Sequence, residues 1–88
     1  MHRDEFLALL PEEGFQEVVT VTREPNGVMD IHVHPFEAKA LIVEGEITIR
    51  VGDDERLYHV GEIFQLSANL EHEERYGPQG VTYLVGRK

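Results

Sequence analysis

Two histidines one residue apart have the clearest potential for chemistry in this chain. His32 and His34 stand in the run His-Val-His-Pro-Phe-Glu. In a strand, residues two positions apart project from the same face, and two imidazoles placed in this way can bind one metal ion. A turn after Pro35 would bring the Glu37 carboxylate to the same ion. The pattern indicates a metal site, although paired histidines on strands are also common as polar surface residues.

The other three histidines lie in different surroundings. His59 lies in a polar segment and is interpreted as a surface residue, whereas His2 lies near a terminus and receives no role. His72 stands in an acidic run with Glu71, Glu73 and Glu74. Such a run is usually a solvated face, although a neighbouring carboxylate would raise the basicity of the imidazole.

The segments that carry these histidines are predicted to be short strands separated by turns. About eight strands are predicted, at 17–22, 28–34, 39–44, 46–51, 56–60, 62–66, 72–76 and 81–85. This density of strands and turn residues is typical of an all-β sandwich or barrel. A short helix over about 3–10, capped by Asp4 and stopped by Pro11, precedes a barrel over about 16–87. Residues 1–88 are expected to form a single domain.

Two of the predicted strands are apolar on both faces. In segment 28–34, Met29, Ile31 and Val33 alternate with Asp30 and the two histidines. Asp30 is therefore expected to line the same pocket as the histidines or to orient an imidazole, and the alternative is that it faces solvent. Segment 39–44 is apolar on both sides. Because a small barrel has one interior, these outer faces need cover from the N-terminal helix or from another subunit, which predicts a homodimer.

Composition excludes several classes of function. The chain has 88 residues, of which 41% are hydrophobic and 28% charged, enough for one small domain. Its net charge of −9 argues against nucleic-acid binding. With no cysteine there are no disulfides, thiolate metal sites or cysteine nucleophiles. No apolar run approaches a membrane span and no signal peptide is apparent, so no membrane partner and a cytoplasmic location are expected.

The histidine pair and its neighbours resemble the first motif of the cupin superfamily. That motif runs glycine, H-x-H, glutamate, glycine. Here Gly27, His32, His34 and Gly45 occupy it, with four rather than five residues between Gly27 and His32. Counting back from Gly45, the glutamate that binds metal in the family falls on Ala38.

Glu37 is the acid nearest to that position, and it lies one residue early. A regular strand would point it away from the histidines, whereas a bulge at Pro35-Phe36 would turn it inward. The resemblance therefore leaves two ligand sets, three histidines alone or three histidines with Glu37 as a fourth ligand. The three-histidine site is favoured because it needs no distortion of the strand, and three imidazoles are a competent metal site.

The resemblance extends to the second cupin motif, where Gly61 and His72 have the family spacing. Asn69 replaces a glycine, and asparagine tolerates the left-handed conformation that a glycine would supply. Tyr76 replaces an asparagine. The resemblance covers about residues 26–76.

The resemblance implies a double-stranded β-helix (jelly-roll) barrel that binds one divalent transition-metal ion through His32, His34 and His72. Fe, Mn, Ni, Cu and Zn are all compatible with such ligands. It also implies a small molecule bound or transformed in the barrel, with no catalytic residue or substrate assigned. A non-catalytic ligand-binding or sensor barrel, and a structural dimer with a vestigial site, are the alternatives, because one fold can carry all of these functions.

Overall fold

Six strands and one helix make up the chain in the computed structural model, which describes all 88 residues. In chain order the elements are α1 Arg3–Glu12, β1 Glu17–Arg23, β2 Val28–His32, β3 Ala38–Val51, β4 Asp54–His59, β5 Ile63–Leu66 and β6 His72–Arg87. The predicted all-β fold with a short helical preface is confirmed. The ten residues of α1 are too few to span a bilayer.

Strands β3 and β6 form the centre of one antiparallel sheet. The sheet runs in the order β1-β6-β3-β4, with β2 also paired to β6 and β5 also paired to β3. The first part of β6 pairs with β2 and its last part with β1, while β3 pairs first with β5 and then with β4. Each long strand thus pairs with the other long strand and with two shorter strands in succession, so the sheet curls around one interior without closing.

The two long strands explain why six strands form where eight were predicted. Segments 39–44 and 46–51 are joined in β3, and segments 72–76 and 81–85 are joined in β6. Gly45 has a φ of 71°, and the register of β3 against β6 shifts on both sides of it. A Cβ at Gly45 would overlap the carbonyl oxygen of Gly80. The glycine therefore bends a continuous strand instead of ending it.

Helix α1 covers part of the outer face of the sheet. Its buried Phe6 and Leu10 pack with Phe15 against Leu41 of β3 and Leu84 of β6. Burial of each large apolar side chain contributes roughly 1.5–3 kcal/mol. A helix of this length would be marginal alone, so this packing holds it in place. The predicted cover of the outer face of β3 by the helix is confirmed.

The helix ends differ slightly from the prediction. His2 rather than Asp4 occupies the N-cap and makes no side-chain capping hydrogen bond, while Asp4 lies in the first turn. Pro11 lies inside the last turn instead of ending the helix before it. The helix closes instead through hydrogen bonds from Glu13 N to Leu9 O and from Gly14 N to Pro11 O, which need no N–H from the proline.

The interior of the curled sheet holds the main hydrophobic core. Its buried members are Ala38, Ala40, Ile42, Ile47, Ile49, Phe64, Leu66, Tyr76, Val81, Tyr83 and Val85. The buried polar residues are His72 and Glu74, both on β6. On the outer side of β2 and of the loop that follows it, Val28, Ile31 and Val33 are exposed.

Candidate metal centre

Three histidines and one glutamate come together where β2 ends and β6 begins. His32 of β2 lies directly opposite His72 of β6. Glu74 is two residues further along β6 and is buried like His72, and His34 follows the end of β2. One potential ligand atom from each of the four side chains lies within 4.8 Å of the others. The fold therefore brings together the three histidines that were predicted to bind metal.

A bulge in β2 turns His32 inward. Met29 pairs with Glu74 and His32 pairs with His72, so two residues of β2 face one residue of β6 between these pairs. The extra residue interrupts the alternation of faces. Met29 therefore lies on the same side as the histidine, and the side chain of Asp30 is exposed. Of the alternatives predicted for the Asp30 side chain, the structure therefore supports the one that faces solvent.

Backbone carbonyls fix the tautomers of two histidines. His32 Nδ1 donates a 2.8 Å hydrogen bond to Asp30 O, and His72 Nδ1 donates a 3.0 Å hydrogen bond to Leu70 O. A carbonyl oxygen only accepts, so each Nδ1 carries a proton. In the neutral imidazole, each Nε2 is then an unprotonated nitrogen with a free lone pair.

Both of these Nε2 atoms face the same carboxylate oxygen. Glu74 Oε2 lies 3.1 Å from His72 Nε2 and 3.3 Å from His32 Nε2. The contact with His32 is outside hydrogen-bonding geometry, so His32 Nε2 is a buried nitrogen without a hydrogen-bond partner. A carboxylate oxygen is also an acceptor, so neutral histidines would present only lone pairs to it. The arrangement requires a cation, either protons on the imidazoles or a metal ion.

The donor set fits a transition-metal ion. Nitrogen and oxygen ligands about 2.0–2.2 Å from zinc, at tetrahedral or octahedral angles, lie about 3.0–3.5 Å from each other. The separations of 3.1 and 3.3 Å between Glu74 Oε2 and the two imidazole nitrogens match this spacing. Imidazoles with one carboxylate are suitable ligands for Fe, Mn, Ni, Cu or Zn.

The third imidazole belongs to His34, in the loop after β2. Its backbone carbonyl accepts a 2.7 Å hydrogen bond from Asn69 N, and Asn69 has the predicted left-handed conformation, with a φ of 61°. The ring stacks on Phe36 at a centroid distance of 5.0 Å. Burial lowers the pKa of His34, and the charges of the two neighbouring histidines lower it further. His34 therefore favours the neutral form, which is the form that binds metal.

Glu37 lies away from this cluster. Its carboxylate accepts a 2.6 Å hydrogen bond from Gln65, and its backbone pairs with Lys88 in both directions. The bulge lies in β2 and not in the loop before β3. Ala38, at the position of the family glutamate, is buried in the core and carries only a methyl group. Glu74 of β6 is the acid that reaches the histidines.

Glu74 is the candidate ligand that the sequence pattern did not reveal. It stood in an acidic run that was interpreted as a solvated face. The signal that distinguishes it is its spacing, because residues two positions apart in a strand share a face and Glu74 follows His72 by two. Glu71 is exposed and Glu73 partly exposed. His59 is exposed and bonds to Glu62, as expected for a surface histidine.

A family model described as a cupin domain matches residues 19–77. The chain belongs to the cupin family. A comparison with curated proteins found no significant match.

Several solved structures share the fold of this chain. It resembles an RmlC-like cupin from Shewanella frigidimarina NCIMB 400, with a TM-score of 0.68 and 18% identity over 80% of this chain and 62% of that one. A protein of unknown function from Rhizobium leguminosarum bv. viciae 3841 gives a TM-score of 0.76 and 11% identity over 80% and 66%. The Cnp3 cupin domain of Schizosaccharomyces pombe gives 0.71 and 11% over 80% and 50%. The chain thus spans about half to two thirds of the length of these structures, and the likeness shows the fold alone.

A small cavity in the cupin sheet adjoins the cluster of three histidines and Glu74. Its volume is about 50 Å³, and eight of its twelve lining residues are hydrophobic. His34 and Glu74 belong to its lining and connect it to the cluster, and Arg23 and Arg87 also line it. Burial raises the pKa of Tyr83, another lining residue, to about 12, so its hydroxyl stays protonated.

Proposed function

We propose that this cupin binds one divalent transition-metal ion through His32, His34, His72 and Glu74 and binds a small molecule beside it. One observation carries the proposal. Two imidazole nitrogens, fixed as lone pairs by backbone carbonyls, face a single buried carboxylate oxygen. When bound, such an ion supplies Lewis acidity and further coordination positions.

A metal ion satisfies this cluster better than protons do. The ring centroids of the three histidines lie 4.1, 4.8 and 5.3 Å from one another. A proton on His72 alone would leave His32 Nε2 buried without a partner. Protons on both would place two imidazolium rings 4.1 Å apart against one carboxylate, and the two charges would repel each other. A single ion meets the three nitrogens and the carboxylate oxygen together, with every imidazole neutral.

The cavity supports a role in binding a small molecule. Apart from Arg23 and Arg87, the acids and bases of its lining are His34 and Glu74, both proposed ligands, and Tyr83, whose pKa is raised to about 12. No free carboxylate or imidazole faces the space as a general acid or base. This favours ligand binding, or chemistry centred on the ion, over catalysis by protein acids and bases.

Metal titration tests the proposal. The wild type is expected to bind one Zn²⁺ per chain in elemental analysis and competitive chelation. His72→Ala and Glu74→Gln should each weaken binding at least about tenfold, which corresponds to about 1.4 kcal/mol. His59→Ala is the matched control, because His59 is an exposed histidine that also contacts a carboxylate. Undiminished metal in the triple variant of His32, His34 and His72 would refute the site.

We also propose that the chain forms a homodimer through the outer side of β2. Ile31 is 62% exposed and Val33 is 48% exposed there, and α1 packs on the opposite part of the molecule, against β3 and β6. Ile31→Ser should shift the sedimentation equilibrium toward monomer. Leu57→Ser, an exposed apolar residue of β4, should not. A monomeric wild type would rule the dimer out.

A further inference from the structure

The cavity beside the metal centre has a charge opposite to that of the chain. Arg23 and Arg87 line it, and Glu74 is the only acid in its lining. The chain as a whole has a net charge of −9. Two arginines therefore line a small space in an acidic protein, and a bound divalent ion would add to their positive potential.

Arg87, which lines this cavity, has one side-chain donor without a partner. Its Nε is buried and has no hydrogen-bond partner. Its Nη1 donates a 3.3 Å hydrogen bond to Glu17, whose side chain is largely exposed. Buried donors in proteins are nearly always paired, so an unpaired one beside a cavity points to an acceptor in that cavity.

One aromatic ring links the guanidinium to the metal centre. The Arg87 Cζ lies 4.8 Å from the centroid of Phe36, and the His34 ring stacks on the same Phe36 at 5.0 Å. Arg87 and the proposed metal ligand His34 therefore contact the same aromatic ring and line the same cavity. The aromatic contact also limits the movement of the guanidinium.

We propose that the cavity binds a small organic monocarboxylate, with its carboxylate on Arg87 and its short apolar body among the hydrophobic lining. A guanidinium binds a carboxylate through two parallel N–H donors, and Nε is one of the donors that this geometry uses. This inference deepens the proposed function and rests on it in one respect, because the ion supplies further positive charge to the same space.

The volume of the cavity limits the size of the ligand. A water-sized sphere needs about 10–15 Å³ of such space. A cavity of about 50 Å³ therefore accepts a body of roughly three to five atoms, which is the size of acetate or propionate. Phosphate would match the arginines but not the eight hydrophobic residues of the lining. A neutral amide would place fewer acceptor oxygens against the guanidinium of Arg87 than a carboxylate does.

The other approach to the cluster is unsuited to an anion. A wider depression of about 190 Å³ reaches His72 from the side that carries Glu71, Glu73 and Arg50. Its two carboxylates outnumber its one guanidinium. A carboxylate ligand is therefore directed to the cavity that contains Arg87.

Calorimetric titration with propionate and its neutral isostere propionamide tests this inference. Both are titrated into the Zn²⁺-loaded and the metal-free protein. Propionate should bind at least tenfold more tightly than propionamide. Arg87→Gln should weaken propionate binding at least tenfold while changing Zn²⁺ affinity less than twofold. Arg56→Gln, which removes an exposed arginine paired with Asp54, should change neither affinity.

The outcomes separate this inference from the metal proposal. Equal affinities for propionate and propionamide, or unchanged propionate binding by Arg87→Gln, would overturn the carboxylate pocket even when Zn²⁺ binds normally. If no Zn²⁺ binds, the metal proposal fails, and dependence of propionate binding on Arg87 in the metal-free protein still supports the pocket. If no Zn²⁺ binds and propionate binding does not depend on Arg87, both the metal proposal and the carboxylate pocket are overturned. Should Arg87→Gln fail to fold, Arg87→Lys keeps the charge, removes the paired donors and should also weaken propionate binding.

Discussion

The Tyr76 hydroxyl donates a 3.0 Å hydrogen bond to Oε1 of Glu74, while Oε2 of the same carboxylate faces His32 and His72. Burial raises the pKa of Tyr76, and the charge of Glu74 raises it further. The tyrosine therefore stays protonated and acts as a permanent donor. By occupying one carboxylate oxygen, it leaves the other for an ion, as supporting residues do in many metal sites.

Removal of this hydroxyl should weaken metal binding without removing a ligand. Tyr76→Phe leaves Glu74 Oε1 without its donor and frees the carboxylate to rotate. Loss of such a supporting contact typically costs about 10–100-fold in metal affinity, and competitive chelation of Zn²⁺ measures it. Tyr58→Phe is the control, because Tyr58 is a half-buried tyrosine in contact with Phe64 and away from the cluster. Equal affinities for the two variants would contradict the role of Tyr76.

Metal binding should weaken as pH falls below about 6. Imidazoles bind metal in their neutral form, so protons compete with the ion. The pKa of His34 is lowered from 6.5 by burial and by the two other histidines, so His34 should remain available below its ordinary range. Zn²⁺ content after gel filtration between pH 8 and pH 4 gives the profile. Full retention at pH 4 would indicate that carboxylates, and not histidines, hold the ion.

His34 should also make the metal-free protein less stable in acid. Because its folded pKa is depressed, the unfolded chain binds the proton more readily than the folded one. The contribution of His34 to stability is therefore present above about pH 6.5, the unfolded value, and lost as pH falls through the lower folded pKa. Urea midpoints at pH 8 and pH 5.5 should differ less in His34→Asn than in the wild type. An equal drop in both would contradict this linkage.

Substitution of Glu37 should barely affect metal affinity. Its carboxylate is engaged by Gln65, and Glu37→Gln changes that contact without changing the cluster. The affinity for Zn²⁺ should stay within about twofold of the wild type, whereas Glu74→Gln should reduce it at least tenfold. A tenfold loss in Glu37→Gln, about 1.4 kcal/mol, would instead place Glu37 at the ion.

The bend in β3 should tolerate no side chain at Gly45. Gly45→Ala combines a left-handed φ of 71° with an overlap between the new Cβ and Gly80 O. The free energy of unfolding should fall by about 3 kcal/mol or more. Gly52→Ala is the matched control, since Gly52 has a φ of 59° but open space around it, and it should cost about 1–2 kcal/mol. Urea denaturation measures both, and equal losses would show that conformation alone limits position 45.

The sequence predicted the features that depend on local chemistry. Alternating residues and turns indicated an all-β fold, and the parity of His32 and His34 placed them together. Asn69 adopted the left-handed conformation because asparagine tolerates it where a glycine is usual. The apolar side of α1, as predicted, packs against the sheet, on Leu41 and Leu84.

Features that depend on pairing between distant strands could not be predicted from the sequence. The bulge between Met29 and His32 exists only relative to β6, so nothing in segment 28–34 alone shows that Asp30 turns outward. Gly45 was interpreted as the end of a strand because a glycine in isolation does not show whether the next residues rejoin the same partner. In both cases the partner strand decides the local geometry.

The four candidate ligands come from only two short segments of chain, 32–34 and 72–74. Each segment alone offers two donors, and β2, which ends at His32, pairs with β6 and with no other strand. The order of events during folding follows from this. Before β2 pairs with β6, an ion can bind at most two of the four ligands. Tight metal binding therefore requires closure of the long loop of chain between segments 32–34 and 72–74. Conversely, a bound ion clamps an edge strand that otherwise has one partner, so metal loading should protect the amides of β2 from hydrogen exchange more than those of β4.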